Sequence, residues 1–331
     1  MDNIVISSRI RLARNLSGIP YPRKLKDERA YAVVMKGVAD VLMSTNGYKV
    51  FTTNSLDLTE CEVLVEKHLI SKDLIDNKEF GGVIISDDET VSIMINEEDH
   101  IREQCILKGF NLSKAYEIIN KIDDALINNL NISYDSELGF LTACPTNIGT
   151  GMRASVMLFL PAITMNGTVT NVINALSKLG ITIRGVYGEG SAAEGYMYQV
   201  SNQISLGVTE QEIIKNMSSA VQKICDIEKE ARAELLKNQA DTIKDISCRA
   251  FGLLANAYKL DSSEFMQLLA KVKLGDSLGL ITLKDSEILN KLLIMGQPAH
   301  LMQLKGERMS AGERDLFRAQ YVNSALKNAR V

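Results

Sequence analysis

Strand-like patterning occupies the chain up to about residue 208 and then stops. Before that point short apolar runs alternate with amphipathic stretches. From Thr209 onward only helical periodicity remains. A chain divided in this way is predicted to form an α+β region followed by an all-helical one. Gly82–Ser86 and Val91–Ile95 flank the turn-like Asp87-Asp88-Glu89-Thr90 and predict an antiparallel hairpin. The second strand runs directly into Asn96-Glu97-Glu98, which places those carboxylates at a strand end or sheet edge. Residues 113–129 carry Ala115, Ile118, Ile119, Ile122, Ala125 and Leu126 on one side, the spacing of an amphipathic helix. Thr209 with Glu212 reads as a capping box opening a long charged helix. Further helices are expected at about 242–259, 262–273 and 283–295, with Asp261 as a cap before Glu264 and Gly296 with Pro298 as a stop. The change of pattern places a domain boundary near 228, giving regions 1–228 and 229–331. No internal repeat or low-complexity linker interrupts them.

Composition narrows the function classes. The 331 residues are 46% hydrophobic and 24% charged, ordinary for a globular protein. A net charge of −4 gives no reason to expect a nucleic-acid surface, and it makes any local arginine cluster more telling. No run approaches a membrane span and residues 1–20 lack a signal-peptide core, so a cytoplasmic location is expected. The five cysteines are odd in number, widely spaced and without a Cys-x-x-Cys pair, so neither a disulfide framework nor a zinc site is expected. The three histidines are too scattered to suggest a metal cluster.

The segment Cys144-Pro145-Thr146-Asn147-Ile148-Gly149-Thr150-Gly151-Met152-Arg153 follows an apolar run, 138–143, that reads as a strand entering a glycine-containing turn. It presents a thiol, small polar groups, backbone N–H groups and an arginine, a combination able to cradle phosphate. It is not a Walker loop, because no Gly-Lys-Ser/Thr follows. The plainer reading is a strand-to-helix connection with Arg153 in solvent. Three other segments carry similar chemistry: Ser7-Ser8-Arg9-Ile10-Arg11-Leu12-Ala13-Arg14-Asn15, Asn96-Glu97-Glu98-Asp99-His100-Ile101-Arg102 and Arg184-Gly185-Val186-Tyr187-Gly188-Glu189-Gly190. Taken in order, the four resemble the phosphagen (guanidino) kinase family, and more closely its bacterial protein-arginine kinase branch. The resemblance implies a catalytic domain with an antiparallel sheet flanked by helices, an all-helical C-terminal domain, and phosphoryl transfer from ATP to a guanidinium.

Arg9, Arg11, Arg102, Arg153 and Arg184 match the family's nucleotide-phosphate arginines. Arg9 and Arg11, at i and i+2, would face the same side of a strand. Any one of these arginines alone reads as a surface residue, and Arg14 is read that way. A guanidinium loses its proton only above roughly pH 12, so it needs carboxylates to orient it and accept a proton. Glu98 and Glu189 match the family's two catalytic carboxylates, Glu189 in a glycine-flanked loop suited to closing over substrate. Glu97 and Asp99 are assigned to loop hydrogen bonding. Cys144 matches the reactive cysteine. Beside arginines its thiol is expected to ionise readily and meet the substrate guanidinium without a covalent intermediate. Magnesium is implied with ATP, held by phosphate oxygens and waters with no carboxylate cage. Phe159 stands where related sequences often have histidine, a change expected to affect packing near the nucleotide.

Family members acting on small guanidines carry a helical domain ahead of the Ser-x-Arg-x-Arg strand. Here that strand begins near residue 5, which implies a site able to admit a protein-tethered arginine. Glu313-Arg314-Asp315-Leu316-Phe317-Arg318-Ala319 resembles the Arg-Asp-x-x-Arg-Ala motif that binds phosphoarginine as an allosteric signal. Arg314 and Arg318 at i and i+4 would form a two-pronged anion site, with Asp315 on the ligand's guanidinium. The plainer alternative is a charged terminal helix. The resemblance implies a homodimer, self-phosphorylation, and partners that include a stress-gene repressor and a Clp-type protease. Two other functions stay open: a kinase for free arginine or another small guanidine, and a non-catalytic phosphoarginine adaptor.

Overall fold

The computed structural model describes residues 3–25, 28–43, 47–76, 79–185, 194–327 and 329. Its strands are β1 (Val5–Arg14), β2 (Tyr48–Thr52), β3 (Gly82–Ser86), β4 (Val91–Ile95), β5 (Ile101–Lys108), β6 (Tyr134–Asp135), β7 (Gly139–Phe140), β8 (Met152–Phe159), β9 (Ile181–Gly185) and β10 (Met197–Asn202). Its helices are α1 (Glu28–Met43), α2 (Leu58–Glu66), α3 (Lys72–Asp76), α4 (Leu112–Asn129), α5 (Pro161–Met165), α6 (Val169–Ser177), α7 (Glu210–Asn256), α8 (Ser262–Ser277), α9 (Glu287–Met295), α10 (Pro298–Lys305) and α11 (Ala311–Leu326). Among the described residues, eight strands form one sheet in the order β2-β3-β4-β5-β1-β8-β10-β9, and β6 pairs with β7. The chain divides into two compact units. One comprises Met1–Met157, Ala175–Thr182 and Val200–Gln222, the other Leu158–Asn174, Ile183–Gln199 and Lys223–Val331.

In the first unit, strand register separates two chemistries. β1 and β5 are antiparallel, with Arg9 opposite Ile106, Arg11 opposite Gln104 and Ala13 opposite Arg102. Facing residues of an antiparallel pair share a sheet face, so Arg9, Arg11 and Arg102 point the same way. Ile10, Leu12 and Arg14 point the other way with Cys105, Glu103 and Ile101. That second face packs on α4, which buries Ala115, Ile119, Ile122 and Leu126. Arg14, expected at the surface, is therefore on the core face and only 1% exposed. The β3–β4 hairpin forms as expected. Val83, Ile85 and Met94 pack with Cys61, Leu69 and Leu74 into a core cluster.

Residues 138–143 differ from the expected strand, since only Gly139–Phe140 is extended and paired. The cause is a close backbone crossing. Phe140 donates its N–H to the Gly149 carbonyl at 2.8 Å, and a side chain on Gly139 would strike Gly149. Gly139 (φ 75°) and Gly149 (φ 110°) both take left-handed backbone that favours glycine. The Cys144 segment then enters β8, so it joins strand to strand and Arg153 sits on a strand.

The capping box at Thr209 forms: its N–H donates to Glu212, and Glu212 N–H to the Thr209 hydroxyl. Asp261 caps α8 by accepting from Glu264 N–H at 2.8 Å. In the second unit α7 runs through residue 228 and departs from helical geometry at Gln239 (φ −141°, ψ 22°), so the helix expected at 242–259 is its continuation. α9 ends at Met295 with Gly296 as its cap, the stop expected at Gly296 and Pro298, and Pro298 then opens α10, because proline's missing N–H costs nothing in a first turn. Phe265, Leu269, Val272, Leu292 and Val322 build this unit's core. Phe159 is buried there, with Arg232 and Lys273 at 5.7 and 5.4 Å from its ring centroid. The ring's face attracts both cations. Buried Glu228 pairs with Arg232 at 2.7 Å and accepts the Ala162 and Ile163 N–H groups that open α5.

Glu103 is fully buried on the core face of β5, and its carboxyl group hydrogen-bonds to that of Asp123. Burial, and then the neighbouring Asp123 charge, raise its pKa well above 4.5. The folded protein therefore holds a proton that the unfolded chain releases. Stability is full below the unfolded value and declines as pH rises through that window, by up to about 1.4 kcal/mol per pH unit. Urea unfolding of Glu103→Gln between pH 5 and 9 should show a flatter pH dependence than the parent. Identical slopes would mean that Glu103 is not protonated in the fold.

Candidate active site

The arginine face of β1 forms one wall of the site. Arg9 and Arg11 are half-buried, and Arg9 Nε donates to Ser155 Oγ on β8 at 3.3 Å. Burial, then the charges of Arg102 and Arg153, lower the Arg9 pKa to about 10. Arg11 is lowered well below 12.5 by burial and by the charges of Arg9, Arg102 and Arg153, with Glu97 opposing. Arg153 Nη2 reaches Ser201 Oγ at 3.4 Å. Four guanidinium groups from β1, β5 and β8 thus converge within mutual repulsion, and the buried Arg11 Nε has no hydrogen-bond partner among the described residues. An unsatisfied donor in a surplus of positive charge fits a polyanion.

Beside it, the β4–β5 connection turns on Asn96 (φ 58°) and presents three consecutive carboxylates at the strand end, as expected. Each has a different fate. Glu97, assigned only loop hydrogen bonding from sequence, is buried and grips Arg102 Nη1 at 2.5 and 2.7 Å. It also accepts from the Ser71 hydroxyl and the Glu98 N–H. Burial opposes its ionisation, yet Arg102 and those donors hold it below 4.5. Asp99 does tie the loops. Its Oδ1 accepts from Asn15 Nδ2 at 2.7 Å and from Ala143 N–H at 2.6 Å, linking β1 to the approach of Cys144. Glu98 is left half-exposed in a cleft of about 470 Å³ shared with Arg23, Tyr31 and Phe80. Burial and the charges of Asp99 and Glu97 raise its pKa, with Arg102 and Arg23 opposing. A carboxylate so tuned suits proton acceptance.

Cys144 is half-exposed, with Sγ 3.1 Å from Thr146 Oγ1. Arg184 is exposed on β9, in the second unit. Glu189 lies outside the described residues. At the C-terminal helix α11 the two-pronged expectation changes. Arg318 is 1% exposed and donates to Gly296 O, Leu260 O, Asp315 and Ser262, so it braces the core. Asp315 is engaged by Arg318 at 2.9 Å and by Lys259 at 3.8 Å, while Arg314 is half-buried. The i, i+4 spacing showed a shared face but not that half of it turns inward. Among the described residues no group of three or more His, Cys, Asp or Glu is placed to hold a metal, and no helix is long and apolar enough to cross a membrane.

The converging arginines beside a tuned carboxylate, on this sheet, define a phosphotransferase of the guanidino-kinase type. Residues 32–231 match the model of the ATP:guanido phosphotransferase C-terminal catalytic domain, and 240–331 that of the Protein-arginine kinase McsB C-terminal domain. The chain belongs to the ATP:guanido phosphotransferase family and is a phosphotransferase enzyme that uses ATP. Among its relatives it is similar to the protein-arginine kinase of Clostridium acetobutylicum, 45% identical over 98% of this chain and 97% of that one. The protein-arginine kinase of Caldanaerobacter subterraneus subsp. tengcongensis is 43% identical with the same coverage. Among solved structures, lombricine kinase aligns with a TM-score of 0.62 and 25% identity over 71% of this chain and 68% of that one.

Removing one repelling charge should help the empty fold and harm binding. Arg11→Met is expected to raise the melting temperature without nucleotide and to weaken ATP affinity about 10- to 100-fold, the worth of one charged hydrogen-bonding group. Calorimetric titration with thermal melting checks both. A variant that binds ATP as the parent does would remove Arg11 from the site.

Proposed function

We propose that this chain transfers the γ-phosphoryl group of ATP to arginine side chains of proteins. The observation that carries the reading is the four-arginine face, with its unsatisfied Arg11 Nε, beside the half-exposed Glu98. In this reading Arg9, Arg11, Arg102 and Arg153 hold the polyphosphate, and Glu97 keeps Arg102 aimed while the site is open. Magnesium bound with the nucleotide would supply charge neutralisation, and Arg9, Arg11, Arg102 and Arg153 would hold the phosphates that carry it. Glu98 grips the acceptor guanidinium and takes one proton as a guanidinium nitrogen bonds to the γ-phosphorus and the bond to the β-phosphate oxygen breaks. ADP and phosphoarginine leave. Cys144 steadies the guanidinium, and Glu189 and Arg184 keep the roles the sequence resemblance implies for them.

Similarity to protein-arginine kinases over nearly the whole chain supports a protein acceptor over a free guanidine. The same similarity supports a phosphoarginine site at α11. There Arg314 contacts the anion while Arg318 and Asp315 set the helix in place. A cytoplasmic homodimer, self-phosphorylation, allosteric control, and partners such as a stress-gene repressor and a Clp-type protease belong to this proposal.

Mass spectrometry that preserves the acid-labile P–N bond tests it, using an arginine-rich protein with ATP and magnesium. Phosphoarginine should form on protein, with free arginine a poor acceptor and competitor. Glu98→Gln should lower kcat by about 10²- to 10⁴-fold. In the parent, the acid limb of the rate profile should lie above pH 4.5, because Glu98 must lose its proton to act. Phosphorylation of free arginine alone would replace the protein-kinase reading with a small-molecule one.

A further inference from the structure

Arg14 lies on the opposite face of β1 from Arg9 and Arg11, outside the arginine cluster. Its Nε and Nη2 form a fork to Asp123 of α4 at 2.8 and 2.6 Å. Its Nη1 donates to the carbonyls of Ala13 at 2.8 Å and Thr150 at 3.0 Å. The guanidinium carbon stands 3.5 Å from the ring centroid of Phe140. Phe140 and Thr150 are the two ends of the Cys144 loop, closed by the Phe140–Gly149 hydrogen bond. Gly151 completes the clamp. It has φ 64°, accepts the Ala13 N–H at 3.0 Å, and a side-chain carbon there would sit 2.5 Å from Arg14 Nη1.

We propose that Arg14 is a positioning residue whose guanidinium fixes both ends of the Cys144 loop against β1 and so sets Cys144 and Arg153 relative to Arg9 and Arg11. It rests on the reading of this loop as part of the phosphoryl-transfer site. Only a planar fork meets all of these demands at once: two donors to Asp123, one toward Thr150, and a flat face for Phe140. The Asp123 charge keeps the buried fork compensated, and α4 holds that carboxylate in place. Lysine keeps the charge but loses the fork, so Arg14→Lys separates the two contributions.

The test compares the full-length parent with Arg14→Lys by three readouts: KM and kcat for ATP, the rate of Cys144 alkylation by iodoacetamide read on its own peptide, and thermal melting. A misplaced loop should cost about 100-fold in kcat/KM, with much of it in the KM for ATP through Arg153. Cys144 alkylation should change several-fold. Unaltered ATP KM and alkylation, with only a lower melting temperature, would overturn the proposal and leave Arg14 a structural brace. Should Arg14→Lys not fold, Phe140→Leu keeps every Arg14 hydrogen bond and removes the aromatic face. It should move KM and alkylation the same way by about tenfold, and an unchanged Phe140→Leu would also overturn the proposal. Alkylation needs no turnover, so it reports on Arg14 even if the parent transfers nothing to protein arginine.

Discussion

Like charges held on one sheet face are the constraint on which the site depends. Two guanidinium groups about 7 Å apart repel by about 2 kcal/mol at an effective dielectric near 20. Here Arg9, Arg11, Arg102 and Arg153 act on one another inside a partly desolvated site. Side chains free to choose would point apart. β1 and β5 remove the choice, because their antiparallel register puts all three of their arginines on the same side. The opposite face supplies the compensation, where Ile10, Leu12 and the Arg14–Asp123 pair bury β1 against α4.

The three adjacent carboxylates show how one short turn divides its labour. Glu97 is kept ionised by Arg102 and its donors, and Asp99 is absorbed into ties with Asn15 and Ala143. Glu98 is left between them with a raised pKa and an open cleft. Burial raises the Asp99 carboxyl as well, so the open cleft, and not the shift alone, sets Glu98 apart. Glu97 also occupies Arg102 while no anion is present, so phosphate would have to compete for that guanidinium.

The sequence made the hairpin, the Thr209 capping box, the Asp261 cap and the arginine face of β1 legible because each follows from local spacing. The i, i+2 rule alone put Arg9 and Arg11 together. Arg102 joined them through strand register, which no local pattern encodes. Arg14 was misread for the same reason: its position in the alternation points inward, but its partner Asp123 is remote in sequence. The strand expected at 138–143 failed because apolar content alone did not show the crossing at Gly139 and Gly149. Arg318 was legible as a helix-face residue and not as a buried one, since its acceptors at Gly296 and Leu260 come from other helices and turns. The stop at Gly296 and Pro298 was legible, but not the helix that Pro298 goes on to open.

The most direct test of the account is thermal melting in adenosine, AMP, ADP, ATP and inorganic tripolyphosphate, each without magnesium. If relief of arginine repulsion is what binding achieves, stabilisation should grow with phosphate number, and tripolyphosphate alone should reproduce most of the ATP effect. Equal stabilisation by adenosine and ATP, with none from tripolyphosphate, would contradict it and place binding with the base in place of the arginine face.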